Sequence, residues 1–347
     1  MKKFLSIALA LLMVCVMLPV VALAAEKTAS TYEELKSAIS TANDGDTIKL
    51  LADIDLSQTI TVNKTITLNM NGKKLYNTSD LWDKPTAEAN NWSLISVRGS
   101  GNLTITGNGT FAAKENDCYA VDVQESATVT IKNGTFIGNI HAVYVFAGTA
   151  NVEGGTYSVQ QKYPDSAKGD EFVLNCYDAN RANGTARINV TGGTFKNFNP
   201  ADNKAEGEGN NFADNSLVVQ KNNTVQNNDY YVGNAANEVI AAASKGEEIF
   251  VLNGTTLTNV PAGVIIQNRT GDRITVNGKD VELTGDAGYT VPASNITIIV
   301  PGDTIPAETP KTEDQKNPST GANDVVAAAV ALMAVSALGA AVLTRKK

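Results

Sequence analysis

The sequence predicts an all-β chain built as a parallel β-helix solenoid. Three observations carry that reading. A ten-residue unit, Ala127 to Phe136, alternates apolar and polar residues, turns on Asn133-Gly134 and resumes at Thr135-Phe136. Near copies run from Asn102 to Phe111, Thr149 to Tyr157 and Ala186 to Phe195. Each copy follows a short apolar segment: Leu94 to Val97, Tyr119 to Val123, Ala142 to Val145 and Phe172 to Asn175. A fifth such segment, Leu217 to Val219, follows the last copy. The steps from Phe111 to Phe136 to Tyr157 fall in the range of about 20–50 residues that marks solenoids. One unit cannot bury its own apolar face. Stacked units can, by placing Ile on Val and Phe on Tyr across strands about 4.8 Å apart. An antiparallel sandwich also shows short alternating strands. It does not require like residues at like positions from one unit to the next, and the solenoid does.

Composition agrees. The 347 residues are 18% charged and 6% aromatic, with a formal net charge of −8. An acidic chain is a poor partner for nucleic acid or an anionic membrane surface.

Residues 1–24 read as a signal peptide. Lys2-Lys3 is the basic start, Phe4 to Val21 the apolar core, and Ala22-Leu23-Ala24 the small-x-small cleavage site. Cys15 lies inside that apolar run. The two cysteines beyond it, Cys118 and Cys176, fall about two coils apart, outside disulfide reach. They are expected as small core or corner residues not joined to each other.

Residues 25–236 are read as the β-helix domain. Thr31 to Ser40 predicts a short amphipathic helix with Leu35, Ala38 and Ile39 on its apolar face. Thr31 and Glu34 have the spacing of a capping box, and Gly45-Asp46 is the expected stop. Such a helix would plug an open solenoid end. The first strand is expected at Thr47 to Leu51, followed by Thr59 to Val62, Thr65 to Met70 and a corner at Asn71-Gly72. This opening, followed by Gly-Thr-Phe units, resembles the start of pectate-lyase-like right-handed β-helix proteins of bacterial surfaces, over roughly Thr28 to Thr224. The resemblance implies the fold more than an activity, since that architecture carries many functions.

Three insertions interrupt the rhythm. Asn77 to Trp92 holds Trp82 and Trp92, whose rings could stack on sugars or pin the loop. The second runs from Ser158 to Asp170. The third, Asn197 to Asn215, carries Asp202, Glu206, Glu208 and Asp214. Dense oxygen ligands can hold Ca²⁺, but the spacing is not that of an EF-hand and Lys204 sits among them. No metal or other cofactor is expected, with Ca²⁺ at this loop as the alternative.

Residues 237–300 are read as a second β module or as further coils with their own capping helix. A helix is expected from Glu238 to Ser244, then strands at Ile249 to Leu252, within Val264 to Leu283, and at Asn295 to Val300. Residues 301–316 are rich in Pro, Thr and charge and cannot form a core. Extended, they would reach about 50 Å.

The C-terminus is the strongest functional signal. Asn317-Pro318-Ser319-Thr320-Gly321 precedes an apolar run, 325–343, long enough to span a bilayer, and the basic tail Arg345-Lys346-Lys347. Residues 317–347 in this order resemble a sortase cell-wall sorting signal of Gram-positive bacteria, with Asn317 where Leu is common. The resemblance implies a secreted, wall-anchored protein with sortase as partner. The sortase cysteine would attack the Thr320 carbonyl, release Gly321 onward and pass the threonyl group to peptidoglycan.

Catalytic signals are thin. The chain has one histidine, His141, at the lip of a strand, and no nucleotide loop or zinc-ligand spacing. Asp122, Asp170, Glu171, Asp178 and Arg181 could cluster on neighbouring coils, and Asp122, Glu171, Asp178 and Arg181 are the acid–base set for polysaccharide cleavage if the protein is an enzyme; the other reading is solvated charge at the corners. The expected role is an adhesin or binding scaffold, for glycans or a host protein. The alternative is a wall-bound polysaccharide lyase or glycoside hydrolase.

Overall fold

The computed structural model describes residues 24–81, 93–115, 118–161, 172–201, 212–213, 217–221, 229–233, 235–252, 256–282, 284 and 287–293. The chain divides into two compact units, Met1–Ser294 and Asn295–Lys347, and every described residue belongs to the first. The signal peptide, both tryptophans, Glu171, the acidic set Asp202, Glu206, Glu208 and Asp214, the strand expected at Asn295 to Val300 and the whole sorting signal lie outside the described residues. Among the described residues no helix is long and apolar enough to cross a membrane.

The fold is mainly β, with parallel strands stacked in sheets as a solenoid requires. Each unit read from the sequence contributes one strand to each of three sheets. Tyr119–Val123 joins a five-stranded sheet, Thr128–Ile131 a seven-stranded sheet and Thr135–Gly138 an eleven-stranded sheet. The next unit repeats the course with Val143–Val145, Gly148–Val152 and Thr156–Val159, each parallel to its counterpart. Register is held residue for residue, because a one-residue slip would turn every apolar side chain outward.

The inward columns confirm the repeat. Ile48, Leu68, Ile105, Ile131, Val152 and Val190 align across six strands of the seven-stranded sheet. Phe111, Phe136, Tyr157 and Phe195 stack with ring centroids 4.8, 5.1 and 4.9 Å apart and are fully buried. The corner ahead of this column needs glycine. Gly134, Gly155 and Gly193 all have φ between 103° and 121°, the left-handed region where a Cβ is strained. Cys176 takes the place of valine in the column Val97, Val123, Val145. Cys118 and Cys176 are both buried and neither is in a disulfide.

Helix α1, Tyr32–Ser40, buries Leu35, Ala38 and Ile39 as expected. The Thr31 hydroxyl accepts the Glu34 amide at 3.2 Å, and the Glu34 carboxylate accepts the Ser30 amide at 2.7 Å. The Thr31 hydroxyl thus satisfies one orphaned donor of the first turn, and the Glu34 carboxylate reaches back to the amide just ahead of the cap residue. The helix stops at Ser40, ahead of the expected Gly45-Asp46. Lys64 Nζ donates to the Ser40 and Ala42 carbonyls, both at 2.6 Å, so a lysine from the next coil closes the helix end.

Four expectations are corrected. A strand precedes the helix: Glu26–Ala29 pairs in parallel with Thr47–Leu50 and forms the edge of the seven-stranded sheet. Leu217–Lys221 is not a further coil strand. It runs antiparallel to Asp229–Gly233, which itself runs antiparallel to Gly192–Lys196, so the chain reverses where the coils end. A five-residue helix that the sequence did not suggest, α2 at Asp178–Ala182, follows the last strand of the five-stranded sheet. The later helix, α3, spans Ala236–Ala242 rather than Glu238 to Ser244. Beyond it, Glu248–Val251 and Ile265–Asn268 extend the eleven-stranded sheet. A second core of buried residues, including Val239, Ile249, Ile266 and Val276, packs there. One continuous sheet thus serves two hydrophobic cores.

Candidate functional site

The outward face of the five-stranded sheet concentrates the groups that could do chemistry. Alternation sends Val121 and Val123 to the core and leaves Asp122 facing out. Register aligns Asp122 with Ser96 on one neighbouring strand and with Tyr144 on the other, and Tyr144 with Asn175 beyond. A second outward column lies two residues on. The amides of Arg98, Gln124, Phe146 and Tyr177 each donate at 2.9 Å to the preceding coil, on the carbonyls of Val62, Val97, Val123 and Val145. These four residues therefore hold the same position on successive coils.

Asp122 is wholly buried although it points away from the core. Gln124 Nε2 donates to one carboxylate oxygen at 2.7 Å and Ser96 Oγ to the other at 3.0 Å. Arg98 Nε donates to Ser96 Oγ at 3.0 Å, so the serine relays the guanidinium toward the carboxylate. Burial pushes the Asp122 carboxyl up to about 6, against the opposing pull of the Gln124 and Ser96 hydrogen bonds and the Arg98 charge.

His141 is held the same way. Its Nδ1 lies 2.7 Å from the Phe172 carbonyl oxygen and so carries the proton, and Nε2 accepts from Asn175 Nδ2 at 3.2 Å. Burial pushes the imidazole down to about 4, leaving it neutral. The rings of Tyr119, His141 and Tyr144 pack with centroids 4.8 to 5.3 Å apart. Burial, followed by the charges of Tyr119 and Asp122, holds the Tyr144 phenol well above its usual range.

Of the acid–base set expected from sequence, Asp178 and Arg181 meet on helix α2, 3.7 Å apart, with the Asp178 side chain 85% exposed. Asp122 stands two strands back in the sheet, about 10 Å along the stack. Among the described residues no group of three or more His, Cys, Asp or Glu could hold a metal ion.

The sequence reading passed over Phe146 and Tyr177. Their rings stack at 4.9 Å with an interplanar angle of 27°, and they remain 38% and 44% exposed. The signal was present: each is the aromatic residue immediately after a buried strand end, Val145 and Cys176. Elsewhere, a cleft of about 570 Å³ opens where Gly154-Gly155 and Gly192-Gly193 face Tyr231 and Glu238. Its other acid, Glu153, is engaged by Lys132 at 2.9 Å.

The chain matches no protein-family model, no curated protein and no solved structure.

Proposed function

We propose that this chain is an exported surface protein that sortase joins to peptidoglycan through Thr320, and that its solenoid presents a glycan-binding face. The finer fold reading that goes with it is a right-handed, pectate-lyase-like coil. The anchoring half rests on the order of NPSTG, apolar run and basic tail. The binding half rests on one observation above all: the exposed Phe146–Tyr177 stack, in line with Arg98 and Gln124 on the same column. An exposed aromatic strip suits the apolar face of a sugar, and the Arg98 guanidinium lies further along the same column, beyond the buried Gln124.

A second reading, cleavage of a polysaccharide, is favoured by the carboxyl of Asp122, raised into the range of a general acid. Its burial and its two internal hydrogen bonds weigh against direct contact with a substrate.

The test is retention of the purified protein on arrayed glycans, paired with a degradation assay with and without Ca²⁺. Phe146→Ala and Tyr177→Ala are each expected to weaken retention by roughly 3- to 10-fold, the worth of one aromatic contact. Thermal stability should change little, since both rings are exposed. Retention unchanged in the double variant would dismiss the strip. Release of reducing or unsaturated ends, lost in Asp122→Asn, would turn the reading to an enzyme.

A further inference from the structure

The edge of the seven-stranded sheet holds a carboxylate whose partner is the backbone nitrogen of Ala25, just ahead of the strand Glu26–Ala29. Asp46 is buried, 1% exposed, in the loop between α1 and the strand Thr47–Leu50. One oxygen accepts the Asn43 amide at 3.0 Å, and the other accepts Ala25 N at 2.8 Å. The next bond in the ladder, Thr47 N to the Ala25 carbonyl at 2.8 Å, fixes Ala25 in place before Glu26–Ala29 begins its pairing. Ala24, Ala25 and Glu26 all lie at the surface. Asp46 is thus a built acceptor for the nitrogen of one particular residue.

That residue follows Ala22-Leu23-Ala24, the small-x-small site expected to be cut. We propose that Asp46 is the binding site for the α-ammonium group released at Ala25 when the signal peptide is removed. The inference rests on the export reading above. Hydrolysis of the Ala24–Ala25 peptide bond consumes one water, leaves a carboxylate on Ala24 and converts the Ala25 amide into a protonated amine. The neutral N–H···carboxylate bond then becomes a charge-assisted one, the shorter and stronger kind. The surroundings accept that charge. The cations nearest in the electrostatic balance are Lys27 on the first strand and Lys64, which is itself spent on the two carbonyls at the end of α1. Glu26 is drawn toward Lys49 at 3.8 Å, and the Asp44 carboxylate accepts the Thr65 amide at 3.0 Å. Two amide donors, aided by those lysines, already hold the Asp46 carboxyl below its ordinary value, so it is ionised at neutral pH.

The pH signature distinguishes this pair from an ordinary amide bond. A free α-amine titrates near 7.7–8.0. Pairing with Asp46 raises the folded value, so the stabilisation is complete below that range and is lost as pH rises through the raised value. A chain with residues ahead of Ala25 has no such alkaline loss.

The experiment compares two exported proteins, the natural chain and one with Ser-Gly inserted between Ala24 and Ala25. Cutting after Ala24 then leaves the new amine two residues away from Asp46. Mass spectrometry of each N-terminus comes first, and thermal unfolding from pH 6 to 10 follows. The natural chain is expected to begin at Ala25 and to melt about 2–4 °C above the insertion variant near pH 6. The difference should close by about pH 10 and be largely absent in an Asp46→Asn background. Correct processing with equal melting temperatures at every pH would overturn the ammonium site and leave export intact. A natural chain that begins at another residue would overturn the ammonium site, and absence of any cleavage would overturn the export premise itself.

Discussion

Asp122, on a strand of the five-stranded sheet, and His141, just ahead of that sheet's next strand, stand one coil apart and pull the stability of the molecule in opposite directions with pH. The folded Asp122 carboxyl is raised, so its contribution is complete below about 4 and is lost as pH rises through about 6. The folded His141 imidazole is lowered, so its contribution is complete above about 6.5 and is lost as pH falls through about 4. The two windows coincide, and the natural chain should change little in stability between pH 4 and 6.5 on their account. Single variants unmask each slope. Asp122→Asn is expected to gain on the natural chain by up to about 3 kcal/mol between pH 4 and 7, the worth of a two-unit shift. His141→Asn should lose the opposite slope and grow relatively weaker as pH rises. Chemical denaturation across that range checks both, and parallel profiles for all three proteins would show that neither group is shifted. Asp122 was legible in the sequence as a member of the acid–base set, and His141 only as the lone histidine at the lip of a strand. Their partners Ser96, Gln124 and Asn175 were not, because those contacts depend on how neighbouring coils are registered.

At the scale of elements, the aromatic column shows what the repeat encodes. Phe136 lies between Phe111 and Tyr157 with no exposure, so truncation leaves a void that rings on both sides cannot fill without leaving their own strands. Phe136→Ala is therefore expected to cost about 3–5 kcal/mol in equilibrium unfolding. A loss below about 1 kcal/mol would mean that the column can collapse. The coil strands were readable because the same apolar residues recur at the same offsets, and only parallel stacking satisfies that. The cap on α1 was readable because Thr31 and Glu34 carry its chemistry locally. Two features were not. Glu26–Ala29 is four residues with one buried side chain, too little alternation to announce a strand. The reversal through Leu217–Lys221 and Asp229–Gly233 escaped because an alternating pattern says which face is buried and nothing of strand direction.

For the whole molecule, the proposed export and anchoring rest on the two ends of the sequence. The 16 residues 301–316 ahead of NPSTG have a composition that cannot form a core and, fully extended, would span about 50 Å. The proposed attachment at Thr320 makes a strong prediction, because a sortase has to recognise the threonine side chain in order to attack that residue's carbonyl. Thr320→Ala should leave the exported chain in the membrane or the medium, extractable by detergent without wall hydrolysis. The natural chain should be released only by cutting peptidoglycan. The folded unit should melt at the same temperature in both, since the substitution lies in the other compact unit. If Thr320→Ala remained bound to detergent-washed walls in full amount, attachment would not run through Thr320; if the natural chain itself came off with detergent alone, the apolar run 325–343 would stand as an ordinary membrane anchor.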